Sequence, residues 1–400
     1  MKIERLRGTR DFAPEDMRKR RDLEMKMREV FESFGYGEVQ TPTIEPLELF
    51  LLKSGQGVID ETYNFEDRGD RKICLVPERT APTMRFYVNE LQRREKPLKL
   101  YYFENCFRYE NPQRGRYREF WQFGAELMGI NDRAKANAEL IAMALGVIEK
   151  SGIETRVRVG NLDLLKKALG KCVNEEEMPL ILRAVDKGDG DFLIKKVDRE
   201  VLSLLNCRSV EDICGCNEEK ALLKEIFSHL KSYGVEAELD LSIARGLDYY
   251  YGVVFEIDCP SLGAEKQVAG GGEYSLIDLF GGRESGSSGF AIGFDRILDA
   301  QDREEEHERR GYYIIPVSDK NYGYAITIAR FLRAENIKCE MELSRRSVEK
   351  SMKHADSAGR KFVVVVGDRE ERGRTLSLKN LDTGDQKEID LESLKSIEPI

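Results

Sequence analysis

The 400-residue sequence predicts an α+β architecture in two parts: an antiparallel sheet core with flanking helices and a helical insertion, followed by a smaller C-terminal α/β domain. Three observations carry this. Strand signals in the first part follow one another without the regular helical alternation of a doubly wound parallel sheet. The stretch at about 161–233 reads almost entirely as helix, rich in Leu, Lys and Glu. From Tyr312 onward the order becomes strand, helix, strand, helix, strand. The domains are therefore placed at 1–305 and 311–400. The run Asp302–Arg310 (DREEEHERR) carries no apolar residue and is read as a solvated helix end and linker.

Each element has its own signal. Leu23, Met27, Val30 and Phe31 recur at helical spacing between Met17 and Phe34, after the start signal Pro14-Glu15-Asp16 and before Gly35. An extended segment from Gly37 to Pro42 leads into Ile44 and Leu47. Strands are expected at Ile73–Val76, Leu98–Glu104, Glu119–Met128 and Arg156–Val159, and helices at Pro82–Glu90 and Ala134–Lys150. The insertion turns at Gly188-Asp189-Gly190, and strands return at Val235–Leu241, Val253–Ile257 and Gln267–Ala269. In the last part, strands are expected at Tyr312–Val317, Cys339–Leu343, Phe362–Val366 and Thr375–Asn380, with helices at Asn321–Asn336 and Ser347–Ala358. The unbroken apolar run FVVVV suits a parallel strand covered on both faces.

Composition excludes several classes. With 41% hydrophobic and 34% charged residues the chain is that of a globular protein, and no apolar run approaches the ~18–20 residues of a membrane span. The N-terminus is basic but lacks the apolar core of a secretory signal. Eight cysteines spread thinly from Cys74 to Cys339 fit a reduced cytoplasmic chain better than a disulfide scaffold. The net charge of −9 means that any RNA or phosphate partner is met by local basic clusters. His229, His307 and His354 are far apart, and the Cys214/Cys216 pair lacks a second pair at zinc-site spacing, so no metal ligand is assigned.

The densest chemical signal is Phe107–Gly124 (FRYENPQRGRYREFWQFG). Asn111-Pro112 and Arg114-Gly115 mark a turn between two strands, and Arg108, Arg114, Arg116 and Arg118 lie on or beside it. Guanidinium groups engage phosphate oxygens with paired donors, so the cluster reads as an anion site or as a solvated basic hairpin. Phe120, Tyr109 and Tyr117 offer flat faces to a base. Upstream, the carboxylate of Glu78 with the hydroxyl of Thr80 suits an ammonium group, yet capping of the next helix by Thr80 explains the pair equally well. Downstream, Arg245 and Tyr249-Tyr250-Tyr251 surround Gly246 and Gly252. Tyrosine hydroxyls both donate and accept, which suits a two-faced ring such as imidazole, while aromatic packing at a strand start is the plain alternative. Gly270-Gly271-Gly272 lets backbone approach a ligand but has neither Rossmann nor P-loop spacing. Gly289–Arg296 is a small-residue apolar segment ending in an arginine.

Together and in this order these segments resemble the histidyl-tRNA synthetase family of class II aminoacyl-tRNA synthetases. FRYENPQRGRYREFWQFG is similar to the second class motif and GFAIGFDRI to the third. ARGLDYYYGVVFEI resembles the histidine signature, and Arg7-Gly8-Thr9-Arg10-Asp11 the N-terminal RGTxD. SRRSVEKSMKHADSAGRKFVVVVGD resembles the anticodon-binding domain. The resemblance covers nearly the whole chain and is least specific over the helical insertion.

What it implies is a class II synthetase fold and two-step ligation of L-histidine to tRNA(His). The histidine carboxylate attacks the α-phosphorus of ATP and expels pyrophosphate; the acyl group then moves to the 3′-terminal ribose. Positioning and charge compensation dominate such an in-line attack, and arginines supply both without proton transfer. The resemblance gives Arg108 the α-phosphate and carboxylate, and Arg245 a position that other class II enzymes give to a metal. It gives Arg116 and Arg296 the outer phosphates, Phe120 the adenine, and Glu110 a further place at the nucleotide. Glu126 and Tyr250, with Tyr249 beside it, would meet the imidazole; Glu78, Thr80 and Gln122 would meet the α-amino group. Gln113 would meet the tRNA acceptor end, and Mg2+ would accompany ATP and pyrophosphate. A cytoplasmic homodimer is implied, with the Met17–Phe34 helix and the strand through Val39–Pro42 at its interface.

Where much of the family has GGRYD, this chain has Gly271-Gly272-Glu273-Tyr274-Ser275, and Glu273 and Ser275 receive no role. Ser344-Arg345-Arg346 stands where GGR is common. The rival reading is a catalytically inactive, synthetase-like regulatory subunit of a histidine-biosynthetic enzyme. Such proteins typically lack the C-terminal domain and several ATP-contacting arginines, whereas this chain keeps Arg108, Arg116, Arg245 and Arg296.

Overall fold

A computed structural model describes residues 3–54, 59–109, 115–244, 249–283, 285–301 and 309–397. Two compact units divide the chain, Met1–Asp302 and Arg303–Ile400.

The first unit opens with helix α1 (Pro14–Ser33). Pro14 sits in its first turn with Glu15 and Asp16, where a fixed φ and negative charge favour helix initiation. Leu23, Met27, Val30 and Phe31 form its buried stripe. Gly35, at φ +79°, takes the left-handed position that ends it. Strand β1 (Gly37–Glu38) follows, then β2 (Ile44–Pro46), α2 (Leu47–Ser54), β3 (Asn64–Glu66) and β4 (Lys72–Leu75). Strands β2, β4 and β3 form a small antiparallel sheet in that order. Helix α3 (Thr80–Phe86) continues as a π-helical turn (Tyr87–Leu91) where one helix to Glu90 is expected from sequence.

Next come the long hairpin strands β5 (Leu98–Phe107) and β6 (Glu119–Met128), then α4 (Arg133–Glu149), whose N-cap Asp132 accepts from the Lys135 N–H at 3.1 Å. Strand β7 (Arg156–Asn161) leads into the helical stretch α5 (Leu162–Leu169), α6 (Met178–Asp186), α7 (Gly190–Lys196), α8 (Arg199–Leu205) and α9 (Asn217–Ser232). The stretch is not one body. Helices α5 to α8 share a core of their own around Leu165, Ile181, Leu193 and Val201, while Leu223, Ile226 and Leu230 of α9 join the main core. Strands β8 (Ala237–Leu239), β9 (Tyr250–Asp258), β10 (Gln267–Tyr274) and β11 (Ser287–Gly293) and helix α10 (Phe294–Ala300) complete the unit.

Among the described residues, eight strands form the main sheet in the order β1-β5-β6-β11-β10-β9-β7-β8. The pairs are antiparallel from β5 to β7, and parallel only at the outer pairs β1/β5 and β7/β8. Side chains alternate between faces along a strand. On one face Phe123, Phe290 and Phe255 meet α1 and α4 in the main core, with Phe31 stacked on Phe123 at 5.4 Å between ring centroids. The other face is the one that matters for chemistry. Strand β10 runs five residues past its expected end at Ala269, straight through the glycines. Both of its edges are paired, so the missing side chains cost the ladder no hydrogen bonds.

In the second unit, β12 (Tyr312–Pro316), α11 (Tyr322–Ala334), β13 (Cys339–Met341), α12 (Val348–Ser357), β14 (Phe362–Val366), α13 (Asp368–Gly373), β15 (Thr375–Asn380) and β16 (Gln386–Asp390) follow in order. The sheet order is β13-β12-β14-β15-β16. The first three strands are parallel, and β15 and β16 extend them antiparallel. Apolar clusters lie on both faces, Ile314 and Val364 with α11 on one and Ile315 and Val363 with α12 on the other.

Candidate active site

Register decides which side chains meet. Phe120, Gln122, Gly124 and Glu126 alternate on β6 and share one face, with Tyr102 of β5 opposite Gly124. On β11, Gly289, Ala291 and Gly293 stand opposite Glu126, Gly124 and Gln122. On β10, Gly272 and Gly270 stand opposite Gly289 and Ala291. The middle of this face is thus a floor nearly free of side chains, walled by β6 on one side and by the tyrosines of β9 and β10 on the other. Two of its glycines leave no room for anything larger: a Cβ on Gly289 would lie 2.0 Å from Glu126 Oε2, and one on Gly124 would lie 2.2 Å from the Tyr102 hydroxyl.

Glu126 is 1% exposed at the edge of this floor. Its Oε2 accepts from the Tyr274 hydroxyl at 2.5 Å, and its Oε1 from the Tyr102 hydroxyl at 3.5 Å. Burial, then the Glu126 charge, pushes both phenols well above their usual range, so both remain donors to the carboxylate. Tyr249 and Tyr250 stand edge-on to Tyr274, with ring centroids 6.1 and 6.4 Å away. The Tyr250 carbonyl accepts from Lys166 Nζ at 3.1 Å. Neither Tyr274 nor Tyr102 is predicted as a site residue from sequence. The period-2 pattern of β10 would have placed Tyr274 on the glycine face had the strand been extended through Gly270–Gly272.

At the start of α3 the cap is Glu78, not Thr80 as sequence allows. The Glu78 carboxylate accepts from the Thr80 N–H at 2.7 Å and from the Ala81 N–H at 3.1 Å. Thr80 itself is buried beside Tyr102. Arg79, also unassigned by sequence, is 1% exposed and pairs with Glu104 at 2.9 Å while donating to the carbonyls of Asn105 at 3.0 Å and Pro42 at 3.1 Å. It ties α3 to β5. Gln122 accepts from the Cys106 thiol at 3.2 Å, and burial pushes that thiol up to about 12, out of nucleophilic range.

The arginines of the hairpin differ in their settings. Arg108 Nε donates to the Pro77 carbonyl at 2.9 Å, and its guanidinium lies 5.2 Å from the Phe120 ring centroid. Arg116 is exposed, and Arg118 lies over Tyr109 at 4.3 Å. Arg296, in the first turn of α10, donates to the carbonyls of Gly115 at 3.1 Å and Gln267 at 2.7 Å. Beside it Asp295, 2% exposed, takes Arg20 at 2.6 Å, Arg10 at 2.5 Å and the Trp121 N–H at 2.6 Å. That carboxylate joins the N-terminal arm, α1, β6 and α10. The predicted residues Arg245, Glu110 and Gln113 lie outside the described residues.

Glu78 and Glu126 both stand near Tyr102, and the Arg108 guanidinium and the Phe120 ring lie at the β6 end of the same face. Comparison with known proteins identifies the family. The family model described as histidyl-tRNA synthetase matches residues 8–297, and that described as anticodon binding domain matches residues 312–397. The histidine–tRNA ligase of Archaeoglobus fulgidus is 42% identical, covering 99% of this chain and 100% of the relative. An apo S. aureus histidyl-tRNA synthetase structure superposes with a TM-score of 0.78 at 29% identity over 99% of both chains. A Bacillus halodurans structure, described as an ATP phosphoribosyltransferase regulatory subunit/histidyl-tRNA synthetase, gives 0.79 at 25% identity over 92% of this chain and 99% of its own. With a family model spanning the first unit and a relative this similar along its whole length, the chain belongs to the histidyl-tRNA synthetase family.

Proposed function

We propose that the chain ligates L-histidine to tRNA(His) through a histidyl-adenylate, releasing pyrophosphate and AMP, as a class II aminoacyl-tRNA synthetase. The observation that carries the side-chain specificity is the buried Glu126 carboxylate, bonded to Tyr274 and Tyr102 at the edge of the glycine floor. A site built around hydrogen bonds to a polar side chain rejects analogues that lack it, because its own buried groups would be left unpaired. Glu126 and Tyr250, with Tyr249, are assigned to the imidazole; Glu78, Thr80 and Gln122 are assigned to the α-ammonium. Both groups then bring the histidine carboxylate toward Arg108.

Adenylation needs the carboxylate in line with the α-phosphorus and charge compensation as pyrophosphate leaves. Arg108 and Arg245 are assigned to the reacting carboxylate and α-phosphate, Arg116 and Arg296 to the outer phosphates, Phe120 to the adenine, and Glu110 to the nucleotide. The stacking of the Arg108 guanidinium near Phe120 supports putting phosphate and base at adjacent places. Mg2+ would accompany ATP and pyrophosphate and supply charge neutralisation there. It is usually held by one or two carboxylates with phosphate and water, and the described residues contain no cluster of three or more ligating side chains. Gln113 is assigned to the tRNA acceptor end.

The catalytic domain is assigned to 1–305, with its insertion at about 161–233, and the anticodon-binding domain to 311–400. A homodimer is proposed through α1 and the strand segment Val39–Pro42, on the ground of the family resemblance. Cytoplasmic work fits eight cysteines without a disulfide, and no described helix is long and apolar enough to cross a membrane. The regulatory-subunit reading has less support, given the full-length match to a ligase and the second unit. The test is aminoacylation: purified protein with ATP, Mg2+ and labelled histidine should charge a tRNA(His) transcript and not a tRNA(Phe) transcript. Equal charging of both, or none by folded protein, would overturn the proposal.

A further inference from the structure

Glu273 stands on β10 next to Tyr274 but points to the opposite face of the sheet, where it is 2% exposed. A buried carboxylate is costly unless donors surround it. Here four do. Arg133 approaches side-on, Nε at 2.7 Å to Oε1 and Nη2 at 2.6 Å to Oε2. Asn137 Nδ2 donates to Oε1 at 3.1 Å, and the backbone N–H of Val253 donates to Oε2 at 2.8 Å.

The last of these is informative. Gly272 pairs with Val254, but the next residue, Glu273, pairs with Tyr251, so Gly252 and Val253 form a bulge in β9 with no partner on β10. The bulge leaves an N–H without a carbonyl, and the Glu273 side chain supplies the acceptor. Gly252 is in the left-handed region at φ +51°, and a Cβ there would lie 2.0 Å from Glu273 Oε2 and 2.5 Å from Arg133 Nη2. Bulges near active sites re-aim side chains. This one determines that Tyr250 is the residue opposite Tyr274. The same network reaches the other wall: Asn137 Oδ1 accepts from Ser288 Oγ at 3.0 Å, and Ser288 precedes Gly289, the residue against Glu126.

We infer that Glu273, held by Arg133, is a positioning residue for the histidine site: by bonding the Val253 N–H it fixes the β9 bulge that sets Tyr250 beside Tyr274 and Glu126. The inference rests on the assignment of Glu126 and Tyr250 to histidine. Loss of a purely stabilising pair would lower Tm without raising KM for one substrate over the other.

The experiment uses the full chain in ATP–pyrophosphate exchange, with Glu273→Gln, Arg133→Gln, Glu126→Gln and Glu139→Gln compared. Glu273→Gln removes the buried charge at nearly constant volume, so it is the variant that keeps the fold if Arg133→Gln, which leaves the carboxylate without its guanidinium, does not. Glu139 bridges the same helix α4 to Lys99 of β5 at 2.7 Å and serves as the control for lost stability. The expected result is a rise of about tenfold in KM for histidine with Glu273→Gln or Arg133→Gln, on the scale of one weakened hydrogen bond. KM for ATP should stay within about twofold, and Glu139→Gln should lower Tm without moving KM for histidine. Lower Tm with both KM values unchanged, or equal rises in both, would overturn the inference. If Glu126→Gln raises KM for histidine and the Glu273 and Arg133 variants do not, only this inference fails. If Glu126→Gln leaves it unchanged, the assignment beneath it fails as well.

Discussion

Replacing Glu126 by glutamine is the sharpest perturbation of the proposed histidine site. The change keeps volume and leaves a carbonyl oxygen for the Tyr274 hydroxyl, now 2.5 Å from Oε2, so the wall of the site should survive. What disappears is the negative charge facing the imidazole. A hydrogen bond to a charged group contributes about 1.5–3 kcal/mol, against about 1 for a neutral one. At 1.4 kcal/mol per decade, losing one such bond raises KM for histidine roughly 10- to 150-fold. Alanine would be a poorer test. It would take away the carboxylate to which the buried hydroxyls of Tyr274 and Tyr102 both donate, and mix the cost of that loss into the measurement. The assay is ATP–pyrophosphate exchange with histidine varied at saturating ATP, then ATP varied at saturating histidine. The reasoning requires a large change in the first series and under about threefold in the second. Equal losses in both, with Tm unchanged, would refute it.

Three further outcomes are expected. Gly289→Ala brings a methyl 2.0 Å from Glu126 Oε2 and 2.5 Å from the Ala125 carbonyl, which is backbone and cannot yield; it should cost about 1–3 kcal/mol by thermal unfolding and raise KM for histidine more than KM for ATP. Arg245→Ala should abolish exchange while calorimetry still detects histidine binding; retained exchange removes Arg245 from the catalytic role. In the second unit, burial opposes ionisation of Glu342, but donors from Ser351, the Ser344 N–H, Arg346 and Tyr313 outweigh it and hold the carboxyl at about 2, against 4.5 ordinarily. Because the folded value lies below the unfolded one, this stabilisation is present above about pH 4.5 and is lost as pH falls toward 2. Glu342→Gln should therefore lower the unfolding free energy of the protein at pH 7 by on the order of 2 kcal/mol, and narrow the gap to the parent protein at pH 3. An equal gap at both values would contradict the assignment.

Much of the sheet was legible because alternation is a local signal. Strand β6 matches its expected bounds, Glu119–Met128, since Phe123, Ala125 and Leu127 need a core on every second residue. Helix α1 is legible for the same reason at a period of 3.6. Two of the elements that escaped carry no burial pattern: all three residues of β3 are exposed, and β16 (QKEID) is almost wholly so. Their pairing is dictated by partners distant in sequence. The site residues on β6 could be read because the hairpin motif is contiguous. Glu273 could not, because it stands where the family pattern has an arginine, and Tyr274 could not, because a glycine run carries no side-chain period from which to continue the strand. Arg79 illustrates a third reason. Its ion pair with Glu104 joins residues 25 positions apart, and nothing local to either marks the other.

The most direct measurement is ATP–pyrophosphate exchange by the purified full chain, without tRNA, across the twenty standard amino acids. Exchange is expected with histidine alone, because adenylation proceeds without tRNA and the proposed Glu126 site admits one side chain. Exchange with another amino acid, or silence with all twenty from a folded protein that still binds histidine, would contradict the proposed function.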